Sequence, residues 1–376
     1  MIPGTARSSD AAGEMWRLCA VAIAGLLLAA ALRFGTYAPW GTDSAAYVDA
    51  ARRWSRAELL EPSELQLGPE WARTGEGVSA FGHRRGAESG TDAVIYPLGL
   101  PLLMATAIGL VGDLGPYLVA PFAGSALVLA VFSIGRSAAG STRGAAAAAL
   151  VAASPVTLVY CVLPMSDIPV TAAWMSAWAF ALRTGVGAAI AGAACTALAI
   201  LIRPNLAPFA LVIGWTAWAS QCSQPRRDRL GRVALIGIGI AAATALVLVS
   251  QKAQYGGFFS AGYQDLTALF SLSHVPDNLV NYTRFLVEVH TPLLFVGLLA
   301  PVVYRRLTST ATVVARSGAA LVALNLGLYM LYVPFNDVFF LRFLLPAIVA
   351  LFVLLVQVLN RFATAGGGGA LSGVER

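Results

Sequence analysis

Charge is what this sequence has least of. Only 12% of its 376 residues are Asp, Glu, Lys or Arg, against roughly 25% in a soluble domain, which excludes an ordinary water-facing globule. Lysine is all but missing: the acids number 19 and the bases 25, yet Lys252 is the sole lysine. Four cysteines, Cys19, Cys161, Cys195 and Cys222, sit in or beside apolar runs without paired spacing, so neither a disulfide framework nor a zinc ribbon is implied. The three histidines, His83, His274 and His290, show no metal-ligand spacing. No cofactor is indicated, and a divalent metal has no support in the sequence.

What remains is 58% hydrophobic, and it is arranged in runs. A membrane-crossing helix needs about 20 mostly apolar residues. Met15–Leu32, Pro116–Gly135, Gly144–Val162, Ile168–Leu182 and Val186–Ile202 are candidates, followed by Pro204–Ser220, Val233–Ser250, Phe285–Tyr304, Ser317–Pro334 and Phe343–Leu359. The expected fold class is an all-α polytopic membrane protein with about ten transmembrane helices. The net charge of +6 is carried by arginines in short loops between apolar runs, the mark of cytoplasmic loops rather than of a nucleic-acid surface, and no nucleic-acid partner is expected. The first apolar run is long for a signal peptide and is read as an uncleaved anchor.

The run "YPLGLPLLMATAIGLVG", Tyr96 to Gly112, decides the topology. If it crossed, the loops holding Arg136 and Arg143, Arg226 to Arg232, and Arg305 to Arg316 would all face outward, against the positive-inside rule. If it lies along or dips into the outer face, each of those loops falls inside, and both termini are cytoplasmic. Pro97 and Pro101 favour a surface or re-entrant helix. Residues 1–362 are then one transmembrane domain, with 33–115 an extracytoplasmic loop carrying juxtamembrane helices and 363–376, which contains "AGGGGALSG", a flexible cytoplasmic tail.

On this assignment the residues able to do chemistry gather at outer helix ends. In "GTDSAAYVDAARRW", Asp43, Tyr47, Ala50, Ala51 and Trp54 share one helical face, while Asp49, Arg52, Arg53 and Arg56 share the other, as in a helix lying on the membrane surface. Asp43 near its start reads either as a helix cap or as a carboxylate facing a pocket. Asp167, in "LPMSDIPVTAAW", poses the same alternative at the start of a span. Arg203 in "LIRPN", Lys252 in "SQKAQY" and Arg342 in "FFLRFLLP" are cations placed where the charge rule disfavours them, as for gripping a phosphate; snorkelling to ordinary lipid phosphates is the other reading. Tyr47, Tyr96 and His274 are further candidates for a pocket wall. The aromatics between Gln251 and Arg284 read as an interfacial belt, with stacking on a sugar face as the alternative.

Taken together, an acid-headed helix after the first span, then "YPLGLPLL", "SDIPVT", "IRPN" and "LRFLLP", resemble the GT-C membrane glycosyltransferases, a family that includes the protein O-mannosyltransferases and the lipid A aminoarabinose transferase. The resemblance runs nearly the whole chain. Relatives carry Asp-Glu where this chain has Asp43–Ser44, and a second proline where Leu98 stands. The resemblance implies a hexosyl- or pentosyltransferase of the plasma (inner) membrane that takes a sugar from a polyprenyl-phosphate carrier on the outer face, with inversion. It implies Asp43 as catalytic base, Asp167 as the second acid, and Arg203 and Arg342 near the carrier phosphate. The acceptor is expected to be a lipid or an envelope glycan. A transporter or lipid flippase, and a non-catalytic envelope assembly subunit, are the alternatives; charges at outer helix ends and the lack of an internal repeat speak against transport.

Overall fold

The computed structural model describes residues 4–62, 82–263, 269–305 and 309–367, and elements are numbered here among those residues. The first helix, α1 (Gly4–Phe34), illustrates how the apolar runs are used. Ala20, Ala24, Leu27 and Ala31 recur every three or four residues, so they share one face, and that face is buried. Leu18 and Leu26 point away and are exposed. In a chain of this composition an exposed leucine face is a lipid-facing one.

Small residues let the helices close up. α4 (Gly115–Ala139) and α5 (Ser141–Ala153) form a hairpin about Gly140, and a Cβ on Gly135 would lie 2.8 Å from the Gly144 Cα. Such contacts replace the hydrophobic drive that lipid does not supply between helices. At the centre stand α7 (Asp167–Ala181) and α14 (Leu345–Gly367). Residues 345–358 of α14 are buried on every side, as befits a helix that is apolar all round. It packs against α4, α5, α7 and α13 (Thr310–Met330). Trp174 and Trp178 of α7 are fully buried, and Trp178 Nε1 donates to Ser317 Oγ of α13 at 2.9 Å.

The molecule is a predominantly helical, multi-pass membrane protein. Five helical stretches are individually long and apolar enough to cross, and two bent pairs raise the number to seven. The bends fall inside two runs expected to be single spans. α5 meets α6 (Pro155–Cys161) at 63°, and α11 (Val275–His290) meets the 3₁₀ segment Pro292–Leu299, which leads into α12 (Ala300–Val303), at 106°. Each break is at a proline, which removes a backbone donor and clashes with the preceding turn. α8 (Val186–Ile202) and α9 (Phe209–Ala219) are shorter apolar helices.

The loop after α1 holds α2 (Gly41–Trp54), a three-stranded antiparallel sheet, and α3 (Gly99–Val111). In the sheet, β3 (Thr91–Val94) lies between β1 (Glu61–Pro62) and β2 (His83–Arg85). Strands of two to four residues leave no period to read, and the sequence did not disclose them. α3 has 13 residues, about 20 Å of helix, short of the ~30 Å hydrocarbon core. It packs against α2, α4 and α8. A Cβ on Gly99 would fall 2.4 Å from the Leu201 carbonyl carbon, so only glycine lets α3 start against the end of α8. α14 runs past the expected start of the tail to Gly367; 368–376 lie outside the described residues.

Candidate active site

Asp43 is not a cap. α2 starts after Trp40, and no side chain caps its first turn. Instead the Ser44 hydroxyl folds back, donating to the Trp40 carbonyl at 2.6 Å and accepting from the Trp40 N–H at 2.5 Å. The Asp43 carboxylate is left for tertiary partners. Its Oδ1 accepts from the Tyr96 hydroxyl at 2.6 Å, and its Oδ2 accepts from Arg342 Nη2 at 2.8 Å. Arg342 lies in the 3₁₀ segment Val338–Leu344 that feeds α14.

Asp167 opens α7, again without a side-chain cap. Its side chain is fully buried, and Oδ1 accepts from Arg203 Nη2 at 2.6 Å. Arg203 follows the last residue of α8 and also donates from Nε to Ser166 Oγ at 3.1 Å. Tyr47 reaches the same hydroxyl from α2 at 3.3 Å. Two carboxylates from two helix starts thus meet two guanidiniums, one just after the end of α8 and one in the 3₁₀ segment that leads into α14. Asp167 is fully buried and both guanidiniums nearly so, while Asp43 is 31% exposed; such burial is tolerated only because the charges pair.

Aromatic rings hold the guanidiniums. Phe343 stacks on Tyr329 at 5.0 Å and 2°, while Arg203 and Arg342 lie over its ring at 5.5 and 5.1 Å. Arg342 also lies over Phe340, and Tyr47 packs on Tyr96 at 4.5 Å. Such contacts fix planar cations without consuming their hydrogen-bond donors. Accordingly Arg203 Nη1 and Arg342 Nε, as well as Asp167 Oδ2, are buried without hydrogen-bond partners among the described residues.

A cavity of about 560 Å³ is lined by Asp43, Tyr96, Ser166, Arg203, Asn205 and Arg342. The rest of its wall is mainly apolar and aromatic, from Leu98, Val247, Tyr263, Phe270, Tyr332 and Phe335. A cavity whose wall combines a charged cluster with apolar and aromatic side chains suits an amphiphile. Burial raises the Tyr47 hydroxyl to about 12. Burial, then the bond to Asp43, pushes Tyr96 well above the ordinary tyrosine value. Both hydroxyls therefore act as donors, not as anions.

Of the residues singled out in the sequence, Asp43, Tyr47, Tyr96, Arg203 and Arg342 line this cavity, with Asp167 directly behind Arg203. Lys252 does not line it: it is exposed on α10 (Arg226–Tyr255), with its ammonium 4.7 Å over the Phe258 ring. His274 also stands outside the lining, its Nδ1 3.1 Å from the Leu331 carbonyl. Arg53, placed by periodicity on the outer polar face of α2, is buried at 6% exposure and donates to Asp49 at 3.1 Å beneath β2. His83 of β2 packs over Arg53, which a helix-only reading could not anticipate, while Arg52 and Arg56 on the same face stay exposed. Ser166, Asn205 and Phe343 were not singled out in the sequence; their neighbours Asp167, Arg203 and Arg342 were the only signal for them. Among the described residues, no three His, Cys, Asp or Glu side chains converge as a metal site would require.

No family model and no curated protein matches the sequence. Among solved structures, the chain resembles ArnT from Cupriavidus metallidurans bound to undecaprenyl phosphate, with a TM-score of 0.58 and 16% identity over 95% of this chain and 62% of that one. It resembles the apo state of the same protein with a TM-score of 0.59 and 15% identity, over 96% and 63% of the two chains. The chain thus spans less than two thirds of the length of the protein it matches. At such identity what is shared is the fold alone.

Proposed function

We propose that the chain is a membrane glycosyltransferase that moves a sugar from a polyprenyl-phosphate carrier to a lipid or envelope-glycan acceptor, with Asp43 as general base. One observation carries the reading. The Asp43 carboxylate, free of any capping duty, faces a cavity beside two arginines that each retain a buried, unpartnered N–H group. ArnT, whose fold this chain shares, binds undecaprenyl phosphate in the solved structure, and that supports a lipid-phosphate donor here.

The chemistry asked of these residues is modest. The acceptor oxygen or nitrogen forms a bond to the anomeric carbon as the bond from that carbon to the carrier phosphate breaks. The acceptor's proton passes to Asp43, and the electron pair leaves with the phosphate, which needs cations more than it needs an acid. Arg203 and Arg342 supply them. Attack opposite the leaving group inverts the sugar carbon. Asp167 acts through Arg203, holding its guanidinium in plane, and Tyr96 does the same for Asp43. The aromatic body of the cavity takes the first units of the carrier. Lys252 and His274, outside the lining, have no part in this scheme.

The reading includes a topology: about ten crossings, the short helices α8 and α9 among them, in a plasma (inner) membrane. The cavity opens to the outer face, and α3 lies along it. The positive-inside argument from the arginine loops supports this.

The test is donor class. Purified protein should transfer sugar from a polyprenyl-phosphate sugar and fail with the matching nucleotide sugar. Efficient turnover of the nucleotide sugar would rule the reading out.

A further inference from the structure

A second cavity, of about 710 Å³, opens at the far end of the helices that build the first. Val186 in its wall begins α8, whose last residue, Ile202, lines the candidate active site; Arg227 begins the path of α10 to Gln254 in the same way. The 17 residues of α8 separate the two cavities by about 25 Å, close to the depth of a hydrocarbon core.

The wall of this second cavity is cationic. Arg227, Arg229 and Arg232 share its lining with a single carboxylate, that of Asp228, and none of the three is ion-paired among the described residues. Arg229 is pinned by Trp218, whose carbonyl accepts its Nε at 3.0 Å and whose ring lies 3.9 Å under the guanidinium. Arg232 is 8% exposed; its Nη2 donates to the Ala181 carbonyl at 3.3 Å, and its Nε is buried with no partner. A guanidinium held this deep with an unsatisfied donor is costly unless an anion meets it.

What flanks the arginines is apolar. Val186 and Ile190 on α8, and Leu230 and Ile238 on α10, are exposed. The two helices close on each other further along, where a Cβ on Gly239 would sit 2.8 Å from the Ala193 carbonyl oxygen. The seam is therefore shut in mid-membrane and widens toward the arginines. A soluble anion would satisfy the charges and leave these apolar flanks to be covered separately.

From this we infer that the cavity binds the headgroup phosphate of an anionic membrane phospholipid, with its acyl chains along the outer surfaces of α8 and α10. The site stands at the end of the bundle opposite the candidate active site, and its argument is independent of the function proposed above. Basic pockets between membrane helices take anionic headgroups through such charge surplus.

The test uses the purified full chain in neutral detergent, exposed to a mixture of phosphatidylglycerol and phosphatidylcholine and read by native mass spectrometry. Phosphatidylglycerol should be retained over phosphatidylcholine by about tenfold or more, each arginine contributing about fivefold. Arg232→Gln should abolish most of the preference. Arg227→Gln, at an exposed position where folding is not at stake, should weaken it about fivefold. Arg316→Gln, a cation lost from the second turn of α13, should leave it intact. Equal retention of the two lipids, an undiminished preference in Arg227→Gln, or an equal loss in Arg316→Gln would overturn the inference. Displacement by inorganic phosphate at equal concentration would reassign the cavity to a soluble anion and overturn it too.

Discussion

Arg342 donates to Asp43 across 2.8 Å of space and 299 positions of sequence. The bond ties α2 to the segment entering α14, so the site is assembled from residues far apart in sequence. Its counterpart, Arg203 to Asp167 at 2.6 Å, spans 36 positions and is the more buried of the two.

That difference sets a stability prediction. Arg203→Met strands the Asp167 carboxylate, whose side chain is 0% exposed, and losing one partner of a buried pair costs about 3–5 kcal/mol. Asp167→Asn should likewise lower the melting temperature, although asparagine would cap α7 about as well as aspartate, because it leaves Arg203 uncompensated. The double variant Arg203→Met with Asp167→Leu should recover much of the loss. Thermal unfolding in one detergent measures all three; a double variant no more stable than either single would show that the pair is not the unit that matters.

Tyr96→Phe removes the hydroxyl that donates to Asp43 at 2.6 Å. A hydrogen bond to a charged group contributes about 1.5–3 kcal/mol, and transfer should slow accordingly, by about 10- to 150-fold, with the donor KM little changed. A selective rise in KM would place Tyr96 in donor binding instead.

The pH profile follows from the same tyrosines. Tyr47 is raised from 10.0 to about 12 by burial, and Tyr96 is raised further in the same direction. A raised folded-state value means these hydroxyls contribute fully below the unfolded value of 10.0 and fail only as pH climbs through the folded one. The alkaline limb of transfer should therefore show no tyrosine break near 10.0. A fall centred there would mean that Tyr47 and Tyr96 ionise as free phenols do.

The four charged residues could be found in the sequence because each stands at the edge of an apolar run, where an unpaired charge is expensive. Their pairing could not, since nothing local links Asp43 to Arg342. Lys252 shows the limit of the same reasoning. It too is a cation at the end of a span, but the sequence does not say which side of α10 faces the cavity, and Gln251 and Gln254 do while Lys252 does not. The kinks at Pro155 and Pro292 were available as prolines inside apolar runs; run length concealed them. Arg53 was misplaced because its cover, a sheet of two- to four-residue strands, carries no periodic signal.

Topology has a direct check. Cys222 is exposed in the linker between α9 and α10, beside the second cavity, and should lie inside. Ser89 is exposed next to the small sheet and should lie outside. An impermeant thiol reagent on intact cells should label Ser89→Cys and spare Cys222. Labelling of Cys222 would invert or dismantle the proposed arrangement.

The central claim is that Asp43 removes the acceptor's proton. Asp43→Asn keeps the size and the neighbours of the side chain, and α2 does not depend on it for capping. The decisive measurement is the transfer rate at saturating polyprenyl-phosphate sugar for Asp43→Asn, made on protein whose thermal stability is checked alongside. Loss of a general base should lower that rate by about 100- to 10,000-fold in protein that is still folded at the assay temperature, even though Arg342 loses its carboxylate partner and some stability with it. A well-folded Asp43→Asn protein that turns over at close to the normal rate would contradict the account.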